Sequence, residues 1–525
     1  MTIVLLILYF AVMIGIGVYC RKNATDVNGF VLGGRSVGPW LTAFAFGTSY
    51  FSAVIFVGYA GQFGWLYGTS ATWAGLGNAF IGSLLAWNIL GRRTRIMTQK
   101  LDAKTMPDYF GKRFDSKGLK IIASVIVFIF LIPYTASLYN GLSSLFGLVF
   151  DIDYAVVILI MAVLTGVYVI FGGYMATAIN DFIQGIIMLF GICAVIGAVL
   201  SENGGLTEAM KKLSAIPADG GGWEAGAYSS FFGPDPLALL FVVILTSLGT
   251  WGLPQMVGKF YAIKSENDIH KGTVISTVFA IIVAGGCYFL GGFGRLYGDR
   301  ISINEKTGKP LFDTIVPAML STLPAFIIAV VVILVLSASM STLSSLVLTS
   351  SSTLTLDVIK PASKKEMDEK KQVFIMRIFI VFFIAVSAVI AIVKDSFPGL
   401  TFIAQMMGVS WGALAGAFLA PFLYGLYSKK ITKASVGVCY VWGCGIAIIQ
   451  LIVTLGGVDV SKWGPVLGYI FKSSINSGVI AMVGGLIIVP IVSLFTAKPD
   501  KYFIDETFSC YEQKTEVSQK NSLGE

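Results

Sequence analysis

The stretch "IIAVVVILVLSASMSTLSSLVLTSSSTLTLD", residues 327–357, starts as an unbroken aliphatic run. It then changes character: of its last 21 residues, twelve carry a hydroxyl. With the residues just before it the segment covers 323–357. Its 35 residues, at 1.5 Å each, make a helix of about 52 Å, against roughly 30 Å for the hydrocarbon core of a bilayer. Such a helix crosses a membrane and emerges on the far side. "LTSSSTLTLD" is then mostly the emerging end, where hydroxyls cost little. The midpoint falls near Met340, which sets Ser341 and Thr342 close to the bilayer centre. Ala338, Ser341, Thr342 and Ser345 are spaced i, i+3, i+4, i+7 and share one helical face, with Ser344 beside them.

The rest of the chain repeats this apolar theme. It has 525 residues, 56% of them hydrophobic and 13% charged, with a mean hydropathy of +0.81. A soluble protein cannot hide that much apolar surface. Thirteen spans are predicted, at 2–21, 37–62, 70–90, 118–149, 153–172, 178–200, 234–257, 273–296, 323–357, 373–394, 398–427, 434–456 and 475–496. The expected class is an all-α polytopic membrane protein. The segments are too long and too continuously apolar for a β-barrel.

Charge sets the expected direction. With the N-terminus outside, 28 of the 37 Lys and Arg residues fall on the inner side, as the positive-inside rule requires. That bias accounts for the net charge of +8 without nucleic acid as a partner. The first span has no basic residues before it, with Arg21 and Lys22 following, so it reads as a retained helix rather than a cleaved signal. The expected location is the plasma membrane (the inner membrane in a bacterium), with the C-terminus cytoplasmic and a monomer as the working unit. The connections are short, leaving no room for a soluble catalytic domain, and no enzyme is expected. "ADGGGWEAGAY", residues 218–228, reads as a flexible loop, and "KTEVSQKNSLGE", residues 514–525, as a disordered tail. The six cysteines are dispersed, and the single histidine, His270, sits among loop charges, so neither a zinc nor a redox site is expected.

Polar residues inside the membrane are functional candidates, because lipid does not solvate them. Besides the ninth span, two others carry them. The second, "PWLTAFAFGTSYFSAVIFVGYAGQFGW", has Gly47, Thr48, Ser49 and Ser52 at mid-depth, which fits a helix that unwinds locally. The sixth brings in Asp181, with Asn180 and Gln184, at a depth compatible with Ser344 and Ser345. A carboxylate with several hydroxyls is an all-oxygen site for a hard cation. Helix packing is the competing reading for any single hydroxyl, and a cap at a helix start for Asp181. Five spans in 37–200 and five in 234–427 make two units, and an odd number inverts the second copy. The remaining parts are 1–36, the outer loop 201–233, two peripheral helices in 428–497 and the tail 498–525.

Four segments carry a family resemblance. "FVLGGRSVGPW", "GGYMATAINDFIQG", "GLPQMVGKFYAIKS" and "ASMSTLSSLVLTSSS" resemble the lead into the first core helix, the GG-x(3)-A-x(3)-D-x(2)-Q segment, the G-x-P-x(4)-R/K stretch and the sodium-binding helix of the sodium/solute symporter family. The resemblance covers about 28–500 and is nearest to the proline/pantothenate branch. It implies a LeuT-type fold built as a 5+5 inverted repeat, with Na+ as the coupling ion and no organic cofactor. By position it implies one sodium site from the carbonyls of Thr48, Phe51 and Ala338 with the hydroxyls of Ser341 and Thr342. It implies a second from Asp181, Ser341, Ser344 and Ser345, hence two ions per cycle. Solute contacts implied in the same way are Ser49, Ser52, Ala53, Tyr134, Asn140, Thr250, Trp251 and Gln405. Proline transporters carry an acid where this chain has Tyr50, and aromatic residues where it has Thr246 and Thr250, which argues against proline itself.

The function expected is sodium-coupled import of a small organic solute, such as an amino acid, carboxylate, vitamin or sugar, by alternating access. Proton coupling through Asp181 is the alternative within the same fold. A channel or transport-inactive sensor is the alternative outside it.

Overall fold

The computed structural model describes residues 2–150, 153–219, 225–303, 308, 310–393 and 402–512. Among these, regular structure is helical apart from two isolated β-bridges, Val37 with Ile263 and Ile303 with Pro310. Ten helices are long and apolar enough to cross a membrane, or eleven counting one bent pair. In chain order the membrane helices are α1 (Thr2–Tyr19), α2 (Pro39–Tyr50), α3 (Val54–Lys100), α4 (Lys117–Phe150) and α5 (Tyr154–Glu202). They continue as α6 (Pro236–Leu248), α7 (Pro254–Ala262), α8 (Glu266–Gly291), α9 (Ala325–Ala362) and α10 (Glu369–Val393). The last three are α11 (Phe402–Tyr427), α12 (Lys433–Gly456) and α13 (Ser474–Phe495).

The length of α3 and α5 bears on the span count. At 47 and 49 residues, each is about 70 Å of helix, more than twice a bilayer core. Each also contains a glycine outside helical torsions: Gly68 at φ 65°, ψ −144° and Gly173 at φ 53°, ψ −147°. Only glycine reaches this region without steric cost. With each long helix taken as two passes, the count agrees with the thirteen spans expected.

Two spans are broken at mid-length. α2 stops at Tyr50 because Phe51 turns to extended torsions, φ −79°, ψ 112°, and the chain resumes as helix at Val54. α6 and α7 meet at a 47° bend, where Leu253 has φ −88°, ψ 120°. Pro254 explains the second break. It has no N–H to give the preceding turn, and its ring pushes Leu253 out of the α region. The first break has no proline, and its backbone is held by hydroxyls of α9 instead, as described below. The near-equal torsions at Phe51 and Leu253, in the first span of each predicted unit, agree with a repeated architecture.

α9 and α11 lie at the centre, with nearly every side chain from Ser337 to Leu348 and from Met406 to Phe422 buried. α1, α10, α12 and α13 carry exposed apolar side chains such as Ile3, Phe374, Val441 and Phe495, as a lipid-facing ring must.

The emerging end of the ninth span differs from expectation. Ser350, Ser351, Ser352, Thr353, Thr355 and Asp357 are all buried, because α4 and α10 pack against this end and the cap of the short helix Met106–Arg113 reaches it. The Thr105 hydroxyl, at the cap of that helix, donates to Asp357 at 2.5 Å. The hydroxyls of Ser351 and Ser352 turn back onto the Leu348 carbonyl at 3.1 and 2.7 Å. Ser351, Ser352 and Asp357 are thus paired inside protein, whereas the hydroxyls of Ser350, Thr353 and Thr355 are buried without a partner. The polar stretch after Ala497 also has structure up to 512: the helix Lys501–Phe508 docks there, with the Tyr511 hydroxyl donating to Arg93 O at 3.1 Å. The expected flexible loop lies partly, and the disordered tail wholly, outside the described residues. His270 is exposed, on the first turns of α8.

Candidate functional site

The break after Tyr50 and the middle of α9 face each other. Ser341 Oγ lies 3.2 Å from Thr48 O and 3.1 Å from Ala338 O, and nearest, at 2.9 Å, to Ser337 O, so its single proton has three carbonyls within reach. Thr342 Oγ1 lies 3.1 Å from Thr48 O, 3.3 Å from Phe51 O and 3.2 Å from Ala338 O, any one of which can take its single proton. All five residues are fully buried. The break is what makes this possible, since it turns the carbonyls of Thr48 and Phe51 toward α9 instead of into a continued helix. An ion held by oxygens at about 2.4 Å, near the hard-cation range, has ligands at right angles about 3.4 Å apart. The spacings of 3.1–3.3 Å are close to that value. Rotation of the two hydroxyls would turn five lone pairs onto one point. None of the five groups is charged, so dipoles alone would hold the cation.

One helical turn further along α9 the chemistry changes. Ser345 Oγ lies 3.0 Å from Ser49 Oγ and accepts a hydrogen bond from Lys259 Nζ at 3.0 Å. The same ammonium pairs with Asp181 Oδ2 at 3.6 Å and stands 5.2 Å from the centre of the Tyr174 ring. Both charged side chains are almost fully buried. Ser344 Oγ bonds back to Ser341 O at 2.9 Å. The structure thus brings Asp181 and Ser345 together, as the sequence suggested, but through a lysine that sequence reasoning placed only within a motif. Ser49, expected at the solute, belongs to this cluster.

Beside the break, three buried polar atoms meet with no partner in good hydrogen-bond geometry outside their own group: Ser52 Oγ, Tyr134 OH and Trp411 Nε1. The tyrosine hydroxyl faces the other two, and its ring packs edge-on against Trp411 with centroids 6.1 Å apart. Buried polar atoms are normally paired, so three that face only one another at a helix break suit a polar guest. Ala53 lies beside this point, packed against Gly141 of α4 at 3.1–3.3 Å from its hypothetical Cβ. Asn140 is next to that glycine, its amide bonded to Ala136 O at 2.9 Å. Trp411 also closes the second break, lying 3.4 Å from a Cβ built on Gly249.

The remaining candidates separate from this group. Thr250 Oγ1 donates to Ser247 O at 2.8 Å and Gly82 O at 3.3 Å, and Trp251 Nε1 donates to Ile81 O at 3.0 Å. Both therefore serve the contact between the seventh span and α3. Gln405, in α11, keeps a buried Oε1 without a partner. Trp411 was not among the sequence candidates, and its only signal was an indole at the middle of an apolar span. Among the described residues no group of three or more His, Cys, Asp or Glu could hold a transition metal.

Known proteins agree with this architecture. The structure of a Na+-coupled sialic acid symporter in a substrate-bound outward-open state superposes with a TM-score of 0.74 at 18% identity, over 95% of this chain and 98% of that one. That likeness shows the LeuT-like fold. The osmoregulated proline transporter OpuE of Bacillus subtilis (strain 168) is 28% identical over 503 residues, 94% of each chain. A sodium/proline symporter of Staphylococcus aureus (strain bovine RF122 / ET3-1) is 30% identical over 465 residues, 86% of each. Residues 30–443 match the description of one family, and with a shared fold and these relatives the conclusion is direct: the chain belongs to the sodium:solute symporter family and is a sodium-coupled membrane symporter of a small solute, not an enzyme.

Proposed function

We propose that this protein imports a small neutral or zwitterionic solute across the plasma membrane, with sodium held by the carbonyls of Thr48, Phe51 and Ala338 and the hydroxyls of Ser341 and Thr342. The observation that carries the sodium assignment is the convergence of those five buried oxygens at 3.1–3.3 Å. Sodium there would tie the break in the second span to α9 and so order the pocket beside it, coupling ion to solute. The pocket comprises Ser52, Ala53, Tyr134 and Trp411, with Asn140 and Gln405 as outer candidates. None of these side chains is charged, which suits a solute without net charge. The proline named for both relatives belongs to that class, but Tyr50 stands where proline transporters carry an acid, and a different member of the class is favoured.

The working unit is a monomer, built from repeats at 37–200 and 234–427, with the N-terminus outside and the C-terminus cytoplasmic. The membrane potential then supplies about 2.3 kcal/mol per sodium per 100 mV.

The test is uptake into proteoliposomes under an inward sodium gradient, screened over amino acids, pantothenate, sugars and monocarboxylates. Saturable uptake that collapses when potassium replaces sodium is expected. Uptake that ignores sodium and follows an imposed pH gradient would overturn the reading.

A further inference from the structure

We propose that the Lys259 ammonium is a built-in cation occupying the place expected for a second sodium, so that the protein couples transport to one sodium ion. This rests on the sodium reading above and deepens it.

Three observations support the assignment. The first is position. The oxygens expected to form a second site include Asp181 and Ser345, and Lys259 Nζ reaches both, at 3.6 and 3.0 Å. Ser49 extends the same set through Ser345 at 3.0 Å. A sodium at this point would have to share its ligands with an ammonium already in contact with them.

The second is charge. Asp181 is the one carboxylate among the expected ligands, and Lys259 already balances it. A further monovalent cation would leave an uncompensated buried charge beside an ammonium, which the interior does not tolerate. The five oxygens one turn away face no such cation among their hydrogen-bond partners. The two positions therefore differ in kind: one lacks a cation of its own, and the other is provided with one.

The third is construction. Lys259 lies on α7, five residues beyond the Pro254 break, and the 47° bend there redirects the helix that carries it. The chain thus uses its second helix break to deliver a cation, as it uses the first to present carbonyls. Lys259 also lines a cavity shared with Lys104, Thr105, Tyr174, Gln255 and Ser345. In the oriented topology this cavity lies on the cytoplasmic side, so the lysine stands between the inner face and the sodium ligands.

The experiment counts bound ions and needs no solute. Equilibrium binding of 22Na+ to purified protein in lipid nanodiscs should saturate at one ion per chain for the wild type and for Lys259→Arg. Lys259→Ala exposes the carboxylate and should bind two. Adding Asp181→Asn to that variant should return the count to one. A wild type that binds two ions overturns the inference, and so does a folded Lys259→Ala that still binds one. If Lys259→Ala fails to fold, Lys259→Met takes its place, and the wild-type count decides by itself. Ser341→Ala with Thr342→Ala separates the two readings. If that pair leaves wild-type binding unchanged, the assignment of the sodium site fails, whereas the lysine inference fails on the count alone.

Discussion

The hydroxyl of Thr342 and the carbonyl of Thr48 meet at 3.1 Å across the break in the second span. This contact joins the second span to α9 at a place where the helix break frees carbonyls of the former. Thr342→Ala removes one of five oxygens from the proposed ion site while leaving the helix intact. A contact to a charged group contributes about 1.5–3 kcal/mol, so the sodium concentration for half-maximal uptake should rise roughly tenfold to hundredfold. Thr342→Ser should restore most of it. Sodium titrations of initial uptake rate at saturating solute measure this, and an unchanged half-saturation in the alanine variant would count against the site.

Tyr134→Phe isolates the pocket from the ion site. The ring keeps its edge-on packing with Trp411, and only the hydroxyl facing Ser52 is lost. A neutral hydrogen bond is worth about 0.5–1.5 kcal/mol, so KM for the solute should rise about threefold to tenfold. Binding of 22Na+ without solute should stay at the wild-type affinity. Trp411→Phe, which deletes the indole N–H and part of the contact with Gly249, should weaken solute binding at least as much. Solute KM values unchanged in both variants would place the pocket elsewhere.

The depth of each polar residue is readable from span midpoints, which is why Thr48, Ser341, Thr342, Asp181 and Ser345 stand out together in the sequence. Depth says nothing about which way a side chain points around its helix. Thr250 and Trp251 stood at the right level but turn to the carbonyls of Gly82 and Ile81. Lys259 lay near a predicted span end, and only the bend at Pro254 shows that it points inward. Trp411 reads in the sequence like any packing aromatic, and only the structure shows its N–H facing the Tyr134 hydroxyl. The hydroxyls of 350–355 misled for a related reason: span length placed them beyond the hydrocarbon, but α4 and α10 bury that end in protein. Local pattern gives element and depth, whereas burial beyond the bilayer depends on segments far away in sequence.

Gly64→Ala should damage the fold without touching either site. A Cβ at Gly64 would stand 1.9 Å from Gly291 O, and one at Gly291 would stand 2.1 Å from Ala60 O. The two helices cross backbone to backbone, and neither carbonyl can yield as a flexible side chain would. Overpacking of this kind costs about 1–3 kcal/mol. The variant should show a lower thermal midpoint and less folded protein in detergent. Gly15→Ala, where a Cβ meets nothing within 4 Å, is the control and should match the wild type. Equal midpoints for the two variants would contradict the close crossing.

Asp108 gives a pH-dependent prediction outside the membrane spans. Its carboxylate takes Lys120 Nζ at 2.7 Å and Lys112 Nζ at 3.1 Å, and Lys120 also reaches Asp357 at 3.1 Å. Burial alone would raise its pKa, but the two lysines outweigh burial and hold it below the ordinary carboxylate range. A carboxyl depressed in the folded state stabilises fully above its unfolded value, about 3.9. The contribution is lost as pH falls through the lower folded value. Asp108→Asn should therefore lower stability at pH 7 by about 1–3 kcal/mol, the range between an exposed and a buried pair. The gap between variant and wild type should stay constant from pH 8 to pH 5 and narrow only below about pH 4. Thermal midpoints of the detergent-solubilised proteins across that range measure it. A gap that opens on acidification, or none at pH 7, would mean that Asp108 does not hold the helix Met106–Arg113 over the buried end of α9.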